Sequence, residues 1–209
     1  ARVLFAYVSA VEDLTVLQSA VKPPTKLILV CRDADDEQRA RERSIPAMSV
    51  PAFDLTRMGQ IKMATLIAFS QQLLKAGDVF VFLTGVAGRA VDTLVAMRVG
   101  EEFELFQSVG QPQLTEHIRR PVFERVLRLA LELAHEGREG KPVGTLFVIG
   151  DHREVQKFCL PGRINPFKGY TEKERNILDD SMGDSVKEIA KLDGAFILKG
   201  NGVIIAACT

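Results

Sequence analysis

The chain has 209 residues, 46% of them hydrophobic and 26% charged, an ordinary balance for a globular protein with a buried core. Its 27 basic and 27 acidic side chains cancel, which argues against a protein built mainly to hold DNA or RNA, because that task needs a positive footprint. No apolar run reaches the ~18–20 residues of a membrane helix. Cys31, Cys159 and Cys208 are far apart and form no C-x-x-C pair, while His117, His135 and His152 share no ligand spacing, so no zinc site is expected.

The first half alternates strands and helices. Arg2–Val8 reads as a buried strand rather than a signal peptide, since Glu12 and Asp13 follow at once. Val11–Val21 has helical spacing, and Pro23-Pro24 breaks it. Lys26–Cys31 is a second apolar strand, Asp33–Arg43 a charged helical face and Ala47–Val50 a short third strand. Asp54 is placed to cap a long helix running to about Lys75, with Met58, Ile61, Thr65 and Ala68 stepping by three and four. Val79–Leu83 and Thr93–Val99 are the fourth and fifth strands. Such alternation marks βαβ units, so residues 1–110 are expected to form a three-layer α/β domain with a mostly parallel sheet. Gly110-Gln111-Pro112-Gln113 is the best break.

A second domain is expected over 119–209. Pro121 suits a first helical turn, and Val122, Val126, Leu129 and Leu133 repeat on one face. A polar hinge at Gly137–Gly144 precedes the strand Thr145–Ile149 and a long connection over 151–170. Thr171 with Glu174 forms a capping box, and helix is expected over Glu172–Lys191, with a break near Asp180. Ala195–Leu198 and Val203–Ala207 are strands whose Asn201-Gly202 suits a tight hairpin.

Two stretches carry possible chemistry. In Lys191-Leu192-Asp193-Gly194-Ala195-Phe196 a carboxylate stands where a helix meets a strand. Such an Asp can hold a divalent metal or accept a hydroxyl proton, and the small residues beside it let a flat ligand approach. On spacing alone, an Asp-Gly pair equally reads as a plain turn. The loop Arg163-Ile164-Asn165-Pro166-Phe167-Lys168-Gly169-Tyr170 combines two cations and aromatics with an irregular backbone, and as a bare loop it too reads as structural. Thr84-Gly85-Val86-Ala87-Gly88-Arg89 follows a strand and offers backbone N–H groups for a phosphate, although it lacks the Lys-Ser/Thr of a P-loop and fits a structural turn. Arg39, Arg41 and Arg43 alternate with acids as on a solvated helix face.

Together, N-P-F-K-G-Y (165–170), E-R-N-I-L-D (174–179) and D-G-A-F (193–196), preceded by G-T-L-F-V-I-G-D (144–151), resemble the diadenylate cyclase domain over about residues 120–209. The segment from Gly77 to Gly85, with Asp92-Thr93-Leu94, looks like the C-terminal domain of pyruvate kinase, an arrangement similar to archaeal-type diadenylate cyclases. The resemblance implies a mixed-sheet α/β cyclase domain after the first domain. It implies condensation of two ATP into cyclic di-AMP and two pyrophosphates across facing domains of a homo-oligomer, in the cytoplasm, without nucleic acid or membrane as partner. Asp193 is then the catalytic residue and the ligand of Mn²⁺ or Mg²⁺, and Gly194 and Ala195 line the ATP. The family's Arg-His-Arg motif, expected after D-G-A, is absent from the 209 residues, and Asp151-His152-Arg153 lies upstream and does not replace it. Both ends read as trimmed, the cyclase domain as incomplete, and the chain as given as weakly active or inactive. The alternative is a non-catalytic sensor of a nucleotide or cyclic di-AMP.

Overall fold

Five apolar runs in the first half of the chain pair side by side in the computed structural model, which describes residues 1–75, 77–85, 90–99, 101, 117–137, 143–160, 164–192 and 194–207. They are β1 (Val3–Tyr7), β2 (Lys26–Cys31), β3 (Ala47–Ser49), β4 (Val79–Thr84) and β5 (Thr93–Arg98), in the order β3-β2-β1-β4-β5. The pairs among β1 to β4 are parallel, and β5 runs antiparallel to β4. The reason is the length of the connection. Residues 85–92 separate β4 from β5, which is shorter than the dozen or so residues a parallel crossover needs. The first unit, Ala1–Pro112, is thus an α/β layer structure around a largely parallel sheet.

Local capping starts its helices. Asp13 accepts the N–H groups of Thr15 and Val16 at the head of α1 (Leu14–Ala20), and Asp33 accepts that of Asp36 at the head of α2 (Ala34–Glu42). Ala6, Val11, Leu14, Leu29, Cys31, Ala40 and Ile45 form one buried cluster on this side of the sheet. Burial, with the carboxylates of Asp36 and Glu37 nearby, pushes the Cys31 thiol up to about 12, so it packs as an inert apolar group. On the other face Phe5 stacks on Phe82 with centroids 4.8 Å apart. The Tyr7 hydroxyl there donates to the Gln60 carbonyl of α3 (Arg57–Ser70).

Two expectations for α3 need correction. The cap is Thr56, whose hydroxyl accepts the Gly59 N–H at 3.1 Å, not Asp54, and the helix ends at Ser70 rather than Lys75. Asp54 stands outside the first turn, beyond reach of its free N–H groups. Thr56→Ala should therefore cost about 1 kcal/mol in a urea melt, while Asp54→Ala should stay within about 0.5 kcal/mol.

The second unit, Gln113–Thr209, has its own core. The expected stripe Val122, Val126, Leu129 and Leu133 is buried along α4 (Arg120–Glu136), with Pro121 in its first turn. It packs with Phe196, Leu198, Ile204 and Val186. A three-stranded mixed sheet is ordered β6-β7-β8, from β6 (Leu146–Ile149), β7 (Ala195–Leu198) and β8 (Ile204–Ala206); β6 and β7 are parallel, β7 and β8 antiparallel. The connection expected over 151–170 contains a short helix, α5 (His152–Gln156).

The helix expected over Glu172–Lys191 is shorter. Residues 172–180 are turns, and helix α6 is Met182–Ala190. Tertiary pairing overrides local propensity here: Asn176 bridges to Val203, and the Ile177 N–H bonds to the Gly202 carbonyl at 2.9 Å. The tight hairpin expected at Asn201-Gly202 forms between β7 and β8. The Gly202 N–H bonds to the Lys199 carbonyl, the Lys199 N–H to the Val203 carbonyl, and Gly202 has positive φ, at 95°. That is a three-residue loop closed by a left-handed glycine. The break at 110–113, residues 138–142 of the hinge, Val86–Arg89, Arg163 and Cys208 fall wholly or partly outside the described residues. Among those described, no helix is long and apolar enough to cross a membrane.

Candidate functional site

The second unit places the Gly-Ala pair at the mouth of its central strand. Helix α6 ends at Ala190, and the chain enters β7 through Gly194, whose φ is 104°. Only glycine adopts that conformation without strain, so the local geometry itself demands the glycine of the motif. Ala195 begins β7 and pairs with Leu146 at the start of β6. Gly194 and Ala195 are half-buried, between the exposed Leu146 and Leu192. Asp193 lies outside the described residues.

Beside this mouth stands a group that the sequence pattern does not single out. Thr145, the residue before Leu146, has its hydroxyl buried without a hydrogen-bond partner. Buried hydroxyls are nearly always paired, so an unpaired one in the residue before the Leu146–Ala195 pair is an exception. Nothing in residue type or spacing distinguishes it from any strand threonine; only the β6–β7 register does.

The 165–170 loop is built as a support. Asn165 donates through Nδ2 to the Ile205 carbonyl and accepts the Phe167 N–H through Oδ1, both at 3.1 Å. Phe167 is buried with its ring 6.3 Å from that of Phe196, which follows Gly194-Ala195 by one position. Lys168, Gly169 and Tyr170 are exposed. The asparagine and phenylalanine of this motif therefore brace β7 and β8, and the lysine and tyrosine face solvent.

The 174–179 segment is a second brace. Arg175 donates through Nη1 to the Ile204 carbonyl at 3.0 Å, and its own carbonyl accepts the Ile204 N–H at 2.9 Å. Its Nε is buried without a partner. The Thr171–Glu174 box forms, closing a turn instead of a helix: the Glu174 carboxylate accepts both the hydroxyl and the N–H of Thr171. The Thr171 hydroxyl, and then its backbone N–H, holds the Glu174 carboxyl below the usual carboxylate range. A carboxyl whose folded pKa lies below its unfolded value of about 4.3 stabilises the fold above that value and loses the effect as pH falls through the folded one. NMR titration should show Glu174 protonating at lower pH than in Thr171→Ala.

Asp151-His152-Arg153 follows the carboxyl end of β6, where Ile149 pairs with Leu198, at the opposite end of the strand from Ala195. Among the described residues, no group of three or more His, Cys, Asp or Glu converges as a metal cage.

Together these features describe a two-unit α/β protein whose second unit enters its central strand through a left-handed glycine. Residues 1–106 match the family described as "Probable sensor domain DacZ_P", 106 of 209 residues. The chain belongs to that family, that of the archaeal-type diadenylate cyclases. It is 31% identical over 149 residues to the diadenylate cyclase of Methanocaldococcus jannaschii, covering 67% of this chain and 45% of that protein. It is 33% identical over 143 residues to the diadenylate cyclase of Haloferax volcanii, covering 67% of this chain and 50% of that protein. The chain spans about half the length of these curated relatives.

Proposed function

We propose that the second unit is the amino-terminal part of a cyclase domain that condenses two ATP into cyclic di-AMP and two pyrophosphates. The observation that carries this reading is the shared identity with two proteins named diadenylate cyclase, together with a positive φ at Gly194 that explains the glycine of the motif. In the reaction, each 3′-hydroxyl oxygen bonds to the α-phosphorus of the other ATP. The bond from that phosphorus to the β-phosphate bridging oxygen breaks, pyrophosphate leaves, and the hydroxyl proton passes to a base. Asp193 is assigned as that base and as the metal ligand. Mn²⁺ or Mg²⁺ would supply charge neutralisation on the phosphates. Gly194 and Ala195 admit the nucleotide to the backbone. Two such sites must face each other, which requires a homo-oligomer, and the ATP supply places the reaction in the cytoplasm.

The first unit is assigned a regulatory role, in keeping with its description as a probable sensor domain. The deciding experiment incubates the full-length protein with ATP and Mn²⁺ or Mg²⁺ and follows cyclic di-AMP by mass spectrometry. Product is expected; its absence with both metals would overturn the enzymatic reading in favour of a nucleotide-binding sensor.

A further inference from the structure

We propose that Arg175 is a receptor for an incoming carboxylate, held on the unpaired Nε edge of its guanidinium. The inference does not depend on the cyclase reading. It starts from an irregularity in the β7–β8 ladder. Ile197 pairs with Ala206 and Leu198 with Ile204, so Ile205 is left over as a bulge. Bulges re-aim side chains and gather beside functional sites. Two side chains converge on this one. Asn165 Nδ2 donates to the Ile205 carbonyl at 3.1 Å, and Arg175 Nη1 donates to the Ile204 carbonyl at 3.0 Å.

The backbone fixes Arg175 as firmly as the side chain does. Its carbonyl accepts the Ile204 N–H at 2.9 Å, its N–H donates to the Thr171 carbonyl at 3.2 Å, and the next residue, Asn176, bridges to Val203. A guanidinium presents five N–H donors in a rigid fork. Here Nη1 is engaged by Ile204, while Nε is buried without a partner and Nη2 has none among the described residues. Nε and Nη2 form the side of the fork that grips a carboxylate with two parallel hydrogen bonds. Arg175 as a whole is half-buried, so a small rotation about the Nη1 bond brings that edge to solvent. A buried, unpaired donor on a charged group costs more than a neutral one, and a methionine there would leave no donor unpaired. Features that cost stability and persist tend to serve function.

The carboxylates at hand are already engaged. Glu172 binds Lys199, Glu174 binds Thr171 and Asp179 binds Ser181. The partner of the Arg175 fork therefore comes from elsewhere. The charge balance around it selects a monoanion. Glu172 and Glu174 stand against Lys173, Arg175 and Lys199, three cations to two anions, which leaves one positive charge. A carboxylate neutralises that charge. A phosphoryl dianion would exceed it, beside two fixed carboxylates that repel it.

The test is NMR of the Arg175 Nε–Hε group, assigned through its own side-chain carbons, in the 209-residue chain. Sodium acetate is the probe, with sodium chloride at matched ionic strength as the blank and sodium phosphate above neutral pH as the dianion comparison. A saturable Hε shift with acetate is expected, and weaker binding of phosphate. Arg175→Lys keeps the charge but removes the side-on fork, and should weaken acetate binding about tenfold when read at the Ile204 amide. The full-length protein tells the sources apart. An Hε resonance already shifted there and unmoved by acetate assigns the carboxylate to another part of the same protein; one that still responds assigns it to a separate molecule. An acetate response no larger than that of chloride, tighter binding of phosphate, or unchanged affinity in Arg175→Lys would each overturn the proposal. The wild-type resonance decides the first two without any variant. None of these readings involves cyclic di-AMP, so failure here is distinct from failure of the cyclase assignment.

Discussion

Gly200→Ala should destabilise the second unit by about 3 kcal/mol or more, enough to shift a urea midpoint plainly. A Cβ on Gly200 would run into the His117 carbonyl, with the His117 carbonyl carbon at 2.8 Å and the Ile118 Cα at 3.3 Å. All three are backbone atoms, so no side chain can rotate aside. The segment is also tied down, because the Arg119 N–H bonds to the Gly200 carbonyl at 2.9 Å. The chain entering α4 therefore lies directly across the β7–β8 hairpin. Gly202→Ala should also destabilise, for a different reason: its φ of 95° strains any side chain, and its Cβ would stand 2.7 Å from Asn176 Oδ1. Gly144→Ala is the control. Among the described residues, nothing beyond its chain neighbours comes within 4 Å of where a methyl on Gly144 would stand, and its φ is not left-handed. Its midpoint should therefore hold within about 0.5 kcal/mol. A Gly200→Ala midpoint equal to that control would refute the close approach.

Asp193→Asn in the full-length protein should reduce cyclic di-AMP formation by roughly 10²–10⁴-fold, the range for loss of a positioned acid–base group. The substitution keeps shape and removes charge, so the adjoining left-handed Gly194 and the start of β7 need not move. The melting temperature should therefore change little while product falls. Gly194→Ala is the less clean probe: with φ at 104° it would cost on the order of 1–3 kcal/mol and lower stability and product together. Wild-type product levels in Asp193→Asn would remove the role given to that residue.

Much of the architecture is legible without coordinates. Lys26–Cys31 and Ala195–Leu198 are strands with the expected bounds. The stripe Val122, Val126, Leu129 and Leu133 is buried throughout. Asp33 opens α2, as a short acceptor before a helical run should. The motifs around residues 165–179 and 193–196 point to the family, and two relatives bear its name. Asp193 is readable only as part of that motif.

Other features depend on partners distant in sequence. Thr171 and Glu174 write a helix cap, yet they close a turn, because Asn176 and Ile177 are claimed by Val203 and Gly202. Thr145 and Thr84 look like ordinary strand threonines until their neighbours leave both hydroxyls unpaired. Asn165 reads as loop punctuation until Ile205, forty positions on, takes its amide. Segments whose stabilising contacts fall within about four residues are written in the chain itself: amphipathic helices, their caps and buried apolar strands. Strand order, the close approach of His117 to Gly200 and the unpaired hydroxyls at both sheet ends arise only on folding, because long-range packing, not local propensity, sets which backbone and polar groups find partners.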